Sequence, residues 1–449
     1  MGENWGLPEA VPLKRKHRAR LASEIRLFKA CKRLTHELHR LVRSSGARQV
    51  PVLALERWLA RWSMRFERHE EVPIFRAERY MIPRFALGDA PEQGLVADLQ
   101  RGCAGMEKQT ATKITSALHD FARQLGERLD KENQEQELAK EPPELRLSVQ
   151  HSADGQTLRM NIAVPEMQGK MPWFSVSARH LDKLQLLCPK KKSRASRIAA
   201  ICRVIMRYDA LTLGGGAGYQ AALPLAGFRW LQQELDCSVE AFASPLNCTL
   251  VHYGSQFPDT DALFGSNLGN FFQWSLSEVL MRGRCVEVNP PFVPEVMDLA
   301  VEKVEDLLRQ ARNAGEALRF VILVPKWQPL RMWRKLMDSK YNERPEGSPV
   351  FVLPQEDHLF CDGKQHIIAK EAMHHRPSSF DSGIFVLGCG RRSPSEVPLD
   401  ALSRVLREHA KTHRRTVERG VRGTNGAALT IQEYERQVRK RRKLGKQST

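Results

Sequence analysis

Asn289-Pro290-Pro291-Phe292 follows directly on the strand-like run Cys285-Val286-Glu287-Val288. A polar side chain, a rigid dipeptide and an aromatic ring at a strand end suit a planar base that carries an exocyclic amino group. The asparagine oxygen and the Pro290 carbonyl can each accept one amine hydrogen, and the Phe292 ring can stack on the base. The nitrogen lone pair then faces a donor. Pro-Pro also ends strands with no function attached, so the quartet is a motif whose context must decide.

Apolar strand runs alternate with helical periodicity from Tyr208 onward, which predicts a mostly parallel α/β sheet. Ligands of such sheets sit at the carboxyl ends of the strands. Those ends are Ser244-Pro245-Leu246-Asn247, Asn289 to Phe292, and Pro325-Lys326-Trp327. They are predicted to converge on one crevice. The loop with Asp259, Asp261 and Gly265 lies downstream of the first, and a carboxylate there could hold ribose hydroxyls. This arrangement suits S-adenosylmethionine better than a nucleoside triphosphate, because no GxxxxGK[ST] loop exists and GGGAGYQ lacks the GxGxxG spacing. Methyl transfer from a sulfonium to an amine needs alignment and acceptors more than a strong base. The lack of a Ser/His/Asp signature or a paired-carboxylate motif fits that chemistry. His366, His374 and His375 have no Cys or Asp at zinc spacing, so no metal is expected.

The 449 residues allow two or three domains, and the net charge of +18 points to a polyanionic partner. A membrane is not expected to be that partner, since the basic runs lack an amphipathic apolar neighbour. The nine scattered cysteines form no CxxC pair, which predicts a reducing compartment. No apolar signal segment opens the sequence, and the longest uncharged stretch, 210–228, is broken by glycines and Pro224. The basic runs at 14–20 and 436–446 predict a nuclear protein, with the cytoplasm as the alternative.

Residues 1–140 read as a helical domain with a basic arm, with Leu27, Cys31, Leu34 and Leu38, then Trp58 and Trp62, then Ile114, Leu118 and Leu125 at helical spacing. The Trp pair reads as core. Alternating Leu147 and Val149, then Leu158, Met160 and Ile162, form a hairpin about Asp154-Gly155. The hairpin and the α/β segment make one unit over 141–395. A C-terminal helix and basic tail fill 396–449. Lys190 to Lys192 with Arg194 and Arg197 form a basic patch that could face phosphate, or could be a solvated helix start. Arg76 and Arg79 are further cations placed by position alone.

Five phrases occur in an order that resembles one family: FASPLNC (242–248), FPDTDALFGS (257–266), NPPFVPEVMD (289–298), the strand bearing Pro325 and Trp327, and HIIAKEAMHH (366–375). The chain resembles the cap-specific adenosine N6-methyltransferases, the family of the phosphorylated CTD interacting factor. That resemblance implies a helical domain on a Rossmann-like, S-adenosylmethionine-dependent methyltransferase domain. It implies methylation of the 2′-O-methyladenosine that begins a 7-methylguanosine-capped mRNA. Asn289, Pro290, Pro291 and Phe292 would then bind donor and adenine; the strand-end reading adds Ser244, Asn247, Asp261 and Gly265 at the donor. Pro325, Lys326 and Trp327 would face the substrate; Arg194 and Arg197 are candidates for the capped end by position alone.

The chain departs from the family pattern at two places. The family has an acid two positions after the motif phenylalanine, where this chain has Pro294, with Glu295 one residue later as its candidate replacement. Gln328-Pro329 stands where the family often has Arg-Glu. No WW pattern surrounds Trp5, Trp58 or Trp62, so binding to the RNA polymerase tail is not implied. Two other readings stay open: an internal RNA or DNA adenine methyltransferase, and a catalytically silent RNA-binding protein of the same fold.

Overall fold

In the computed structural model, residues 14–51, 53–67, 81–83, 92–139, 141, 144, 146–152, 155–163, 174–189, 193–213, 218, 220–266, 268–343, 348–370, 373–390 and 399–425 are described. Expectations for Trp5, Arg76, Arg79, Lys190 to Lys192, the GGGAG glycines Gly214 to Gly216 and the tail 436–446 lie outside these residues.

The helices are α1 (Arg15–Ser44), α2 (Ala54–Glu67), α3 (Gln93–Gly102), α4 (Lys108–Leu138), α5 (Ala178–Leu187), α6 (Arg194–Leu211), α7 (Leu225–Leu235), α8 (Pro258–Asp261), α9 (Leu276–Arg282), α10 (Pro294–Asn313), α11 (Arg331–Met337) and α12 (Leu399–Asn425). The strands are β1 (Arg146–His151), β2 (Thr157–Ala163), β3 (Phe174–Ser177), β4 (Val239–Ala243), β5 (His252–Ser255), β6 (Cys285–Val288), β7 (Leu318–Pro325), β8 (Phe351–Leu353), β9 (Leu359–Cys361), β10 (His375–Pro377) and β11 (Ser382–Cys389).

A six-stranded sheet in the order β5-β4-β6-β7-β11-β8 carries the site. Its first four strands are parallel, while β11 runs antiparallel to both β7 and β8. The sheet is therefore mixed, where the sequence predicts a mostly parallel one. Every residue of β7 is buried, as expected for a strand covered on both faces. Such an apolar run reads the same in either direction, so strand direction was not legible from it.

On one face α10 lays Met297, Val304 and Leu308 against Val286, Phe320 and Ile322. On the other, α7 and α12 pack Phe228, Leu231, Leu402 and Leu406 against Leu323 and Val386. Pro294 opens α10, where its missing N–H costs nothing and its fixed φ favours the helix. Gly315, at φ +70°, lets the chain turn out of that helix into β7.

The N-terminal helices are joined to the hairpin by one apolar core, from Leu21 and Leu34 of α1 through Leu147 and Ile162 to Ile201 of α6. The predicted β1–β2 hairpin is present, and β3 adds a third antiparallel strand. Trp58 and Trp62 are fully buried in this core. Among the described residues no helix is long and apolar enough to cross a membrane.

Glu240 and Glu287 stand opposite each other on the parallel strands β4 and β6, both buried. Glu240 Oε1 accepts the Thr249 and Leu250 N–H groups, whereas Glu287 Oε1 has no hydrogen-bond partner. Burial pushes the Glu240 carboxyl up to about 7, and burial with Glu240 alongside pushes Glu287 well above the usual carboxylate range. The folded state thus holds protons that the unfolded chain releases near pH 4.5. Their stabilising contribution is present below that pH and is lost as pH rises through 7 and beyond. Glu287→Gln should therefore raise stability at pH 8.5 by about 1–4 kcal/mol and flatten the loss between pH 6 and 9. Urea unfolding at several pH values checks this, and an unchanged slope with pH would refute it.

Candidate active site

The carboxyl ends of β4 and β6 open into a pocket of about 800 Å³. Its floor is Ala241, Phe242, Ala243 and Ser244 from β4 and Asn289 to Phe292 from the end of β6. Phe271 and Phe272 close one side, and Ala60 and Ser63 reach in from α2. None of the described lining residues carries a formal charge.

Asn289 is the decisive side chain. Its Nδ2 donates to the Ala221 carbonyl at 3.2 Å, which fixes the amide orientation and leaves Oδ1 as the free end. That Oδ1 is buried and has no hydrogen-bond partner. An unmet buried acceptor costs about 1–3 kcal/mol, so it marks a place where an external donor is expected. Val293 N–H donates to the Pro291 carbonyl at 2.7 Å, which tightens the turn just after the prolines.

Phe292 is held by aromatic edges. Its ring centroid lies 5.3 Å from Phe380, 5.9 Å from Phe360 and 6.5 Å from Trp327, each nearly perpendicular. Trp327 in turn packs on Phe380 at 5.9 Å. The strand-end loops at Asn289 and Pro325 are thereby brought together, with the tryptophan reaching Phe292. Pro325 itself is buried and pairs with Ser382 between β7 and β11. Lys326 lies 3.5 Å from Asp381, so its charge is shared with a neighbouring loop.

Ser244 and Asn247 line the pocket, but their polar atoms are engaged with each other. Asn247 Oδ1 accepts the Ser244 N–H at 2.7 Å, and Asn247 Nδ2 donates to the Gln220 carbonyl at 3.1 Å. Ser244 Oγ lies 2.9 Å from both Gln220 Oε1 and Asn247 Oδ1. This staple shapes the turn after β4. Gln220, on the far side of the glycine loop, is the partner that sequence spacing did not single out.

Asp261 and Gly265 do not line the pocket. Asp261 is fully buried behind Tyr208, whose hydroxyl donates to Asp261 Oδ2 at 2.6 Å, and burial pushes that carboxyl up to about 6. Tyr208 is the residue that lines the pocket, with Asp261 setting its orientation. Gly265 takes φ +95° in the turn after a short 3-10 helix, beside the Tyr253 ring. Asp259 is tied to Arg207 at 2.9 Å. At the end of β5, where a ribose-binding acid was expected, the pocket instead has Gln256, whose Nε2 donates to Ser63 Oγ at 3.0 Å.

Glu295 sits in the first turn of α10, 3.5 Å from Nε of the buried Arg61 on α2. Arg61 also binds Asp98 of α3. The pair clasps α2, and so Ala60 and Ser63, onto the end of the Asn289 turn. Arg194 and Arg197 open α6. At 1.5 Å per residue they lie roughly 17–21 Å along the helix from Tyr208 and the pocket. They are not part of this cluster.

The family model described as "Phosphorylated CTD interacting factor 1 WW domain" matches residues 181–363. Over that segment the chain is similar to the phosphorylated CTD interacting factor family. The family segment holds both strand ends that build the pocket, together with Tyr208, Gln220 and the Asn289 turn. Although the family model's description carries the words WW domain, residues 181–363 here form helices and the parallel strands β4 to β7.

Curated relatives extend the match. The mRNA (2′-O-methyladenosine-N(6)-)-methyltransferase of Homo sapiens is 29% identical over 274 residues, which is 56% of this chain and 35% of that protein. The protein of the same name from Mus musculus is 29% identical over 259 residues, covering 53% of this chain and 33% of its own. The chain thus spans about a third of the length of the curated relatives it matches.

Proposed function

We propose that the pocket binds S-adenosylmethionine and places an adenine N6 amine against Asn289 Oδ1, in a Rossmann-like methyltransferase fold. The acceptor is the first adenosine of a 7-methylguanosine-capped mRNA. The unpartnered, buried Asn289 Oδ1 carries this reading. It is an acceptor held rigid by Ala221, in an uncharged pocket beside an aromatic ring. The relatives' names give the acceptor its identity, and the excess of Lys and Arg suits an RNA partner.

When bound, S-adenosylmethionine supplies a methyl group on a positively charged sulfur. Asn289 Oδ1 accepts one N6–H and the Pro290 carbonyl, to which no hydrogen bond forms among the described residues, accepts the other. Both acceptors draw the amine lone pair out of conjugation with the ring and aim it across the pocket. As the new C–N bond forms, positive charge builds on N6, and the two oxygens bind it more tightly than the neutral amine. The uncharged, aromatic lining suits a reaction in which one positive charge moves from sulfur to nitrogen without being created. Asn289 and Pro290 need not take the proton, which leaves N6 for solvent after transfer. Phe292, fixed by Phe360 and Phe380, provides the face on which the adenine stacks.

Incubation with labelled donor and short RNAs differing only in cap and first nucleotide tests the assignment. Transfer is expected to capped RNA beginning with adenosine and to fall at least about tenfold without the cap, a difference of about 1.4 kcal/mol. Equal transfer to uncapped RNA would instead indicate an internal adenine methyltransferase.

A further inference from the structure

A second pocket, also about 800 Å³, lies behind the first and shares Asn247 with it. Its walls bring together Arg179 and Lys183 of α5, the imidazoles of His180, His374 and His375, and Thr249. Arg179 and Lys183 are four residues apart on one helix face. No carboxylate is among its described lining residues.

The described lining itself is cationic or neutral, with the carboxylates of Glu240 and Asp362 close enough to act on its Cys361. Burial pushes the His180 imidazole down to about 3, and the groups that push it further, Lys183, His366, His374 and Arg179, are all cations or imidazoles. Lys183 Nζ reaches the Leu246 carbonyl at 3.2 Å, which holds the amine at the wall. Arg179 stands on the exposed rim. The first turn of α7 enters the wall at Leu225, and the Leu225 and Ala226 amides have no helix carbonyl before them to bind. Five cationic or proton-binding side chains with no acid among the described lining residues form a receptor for an anion, not for a metal or an apolar group.

We propose that this pocket binds a phosphate group of nucleotide chemistry, with Arg179 and Lys183 as the charged contacts and the Thr249 hydroxyl as a neutral donor. It goes beyond the methyl-transfer reading and does not need it to hold, because it concerns a different wall of the Ser244–Asn247 turn. The phosphate could come from the RNA strand or from a free nucleotide or phosphate, and the recognising groups are the same.

The test uses the full chain, a fluorescein-labelled octaribonucleotide followed by anisotropy, and inorganic pyrophosphate as competitor. Arg179→Gln is expected to weaken oligonucleotide binding by roughly 3- to 10-fold at 0.1 M salt and to lower the salt slope by about one. Lys183→Met should do the same, and pyrophosphate should compete only with the unaltered protein. Arg179 is exposed, so its variant keeps the proposal testable if Lys183→Met fails to fold. Unchanged oligonucleotide affinity together with Arg179-dependent pyrophosphate binding would assign the pocket to a free phosphate. Asp182→Asn, exposed on the same helix, is the control for net charge. A gain there as large as the loss at Arg179 would overturn the pocket in favour of general surface attraction. Full affinity and salt slope in both cationic variants, with pyrophosphate binding unchanged as well, would overturn it outright. Binding of S-adenosylhomocysteine, read by calorimetry, should be unchanged throughout; its failure in the unaltered protein would count against the first pocket alone.

Discussion

Asn289→Ala is expected to cut methyl transfer by about 10²- to 10³-fold while RNA affinity stays within about twofold. The substitution removes the unpartnered buried side-chain acceptor of the pocket's described lining and leaves the Pro290 carbonyl to hold the amine alone. It also frees the Ala221 carbonyl, whose bond from Nδ2 fixed the amide. Asn289→Asp separates these two roles. It keeps an acceptor oxygen but sets a second oxygen against the Ala221 carbonyl, so activity should recover partly as pH falls and the carboxyl takes a proton. Single-turnover transfer from labelled donor, with RNA binding measured beside it, reads both outcomes. Parallel loss of RNA binding in Asn289→Ala would make the residue a structural one and leave the silent RNA-binding reading standing.

The largest loss of stability is expected at Arg207, far from any obvious motif. Its guanidinium is fully buried and grips Glu24 of α1 through Nε at 2.6 Å and Nη2 at 2.9 Å. The same group binds both oxygens of Asp259 on α8, at 3.0 and 2.9 Å. Burial alone would push Asp259 up, and the guanidinium beside it brings the carboxyl below its ordinary range. That contribution is present above the unfolded pKa of about 3.8 and is lost as pH falls through the folded value. Arg207→Met leaves the buried carboxylates of Glu24 and Asp259 with Arg203 alone, at 3.7 and 3.3 Å, and should cost about 3–5 kcal/mol. Adding Glu24→Gln and Asp259→Asn should return part of this, since it removes the under-compensated carboxylates while leaving Arg203 without its acids. Denaturant unfolding of the single and triple variants checks the prediction, and additive losses would contradict it. Because Tyr208 follows Arg207 on α6 and lines the pocket, donor affinity should fall in the single variant as well.

These two residues also mark what was legible beforehand. Asn289 to Phe292 stood out because a strand run, an amide, a rigid dipeptide and an aromatic ring are contiguous, and contiguity survives in sequence. Ser244 and Asn247 were legible as a strand end. Their mutual staple through Gln220 was not, because that partner lies on the other side of a loop. Asp261 was chosen as a ribose ligand since it is an acid near a strand end. The fold instead places it behind Tyr208, while Gln256 takes the position in the pocket.

By itself the sequence determined the local elements, the strand-end turn at Asn289 and the basic balance, because periodicity, capping residues and charge are properties of neighbours in the chain. It fixed β4 at Val239–Ala243 and the hairpin by the same means. Only the tertiary structure decided that Asp259 and Asp261 are struts behind the pocket, that β11 runs against β7, and that α2 supplies part of the pocket wall. The reason is physical. A buried carboxylate is defined by the charge that reaches it, and for Asp259 that charge comes from a separate helix whose placement depends on packing across the whole core.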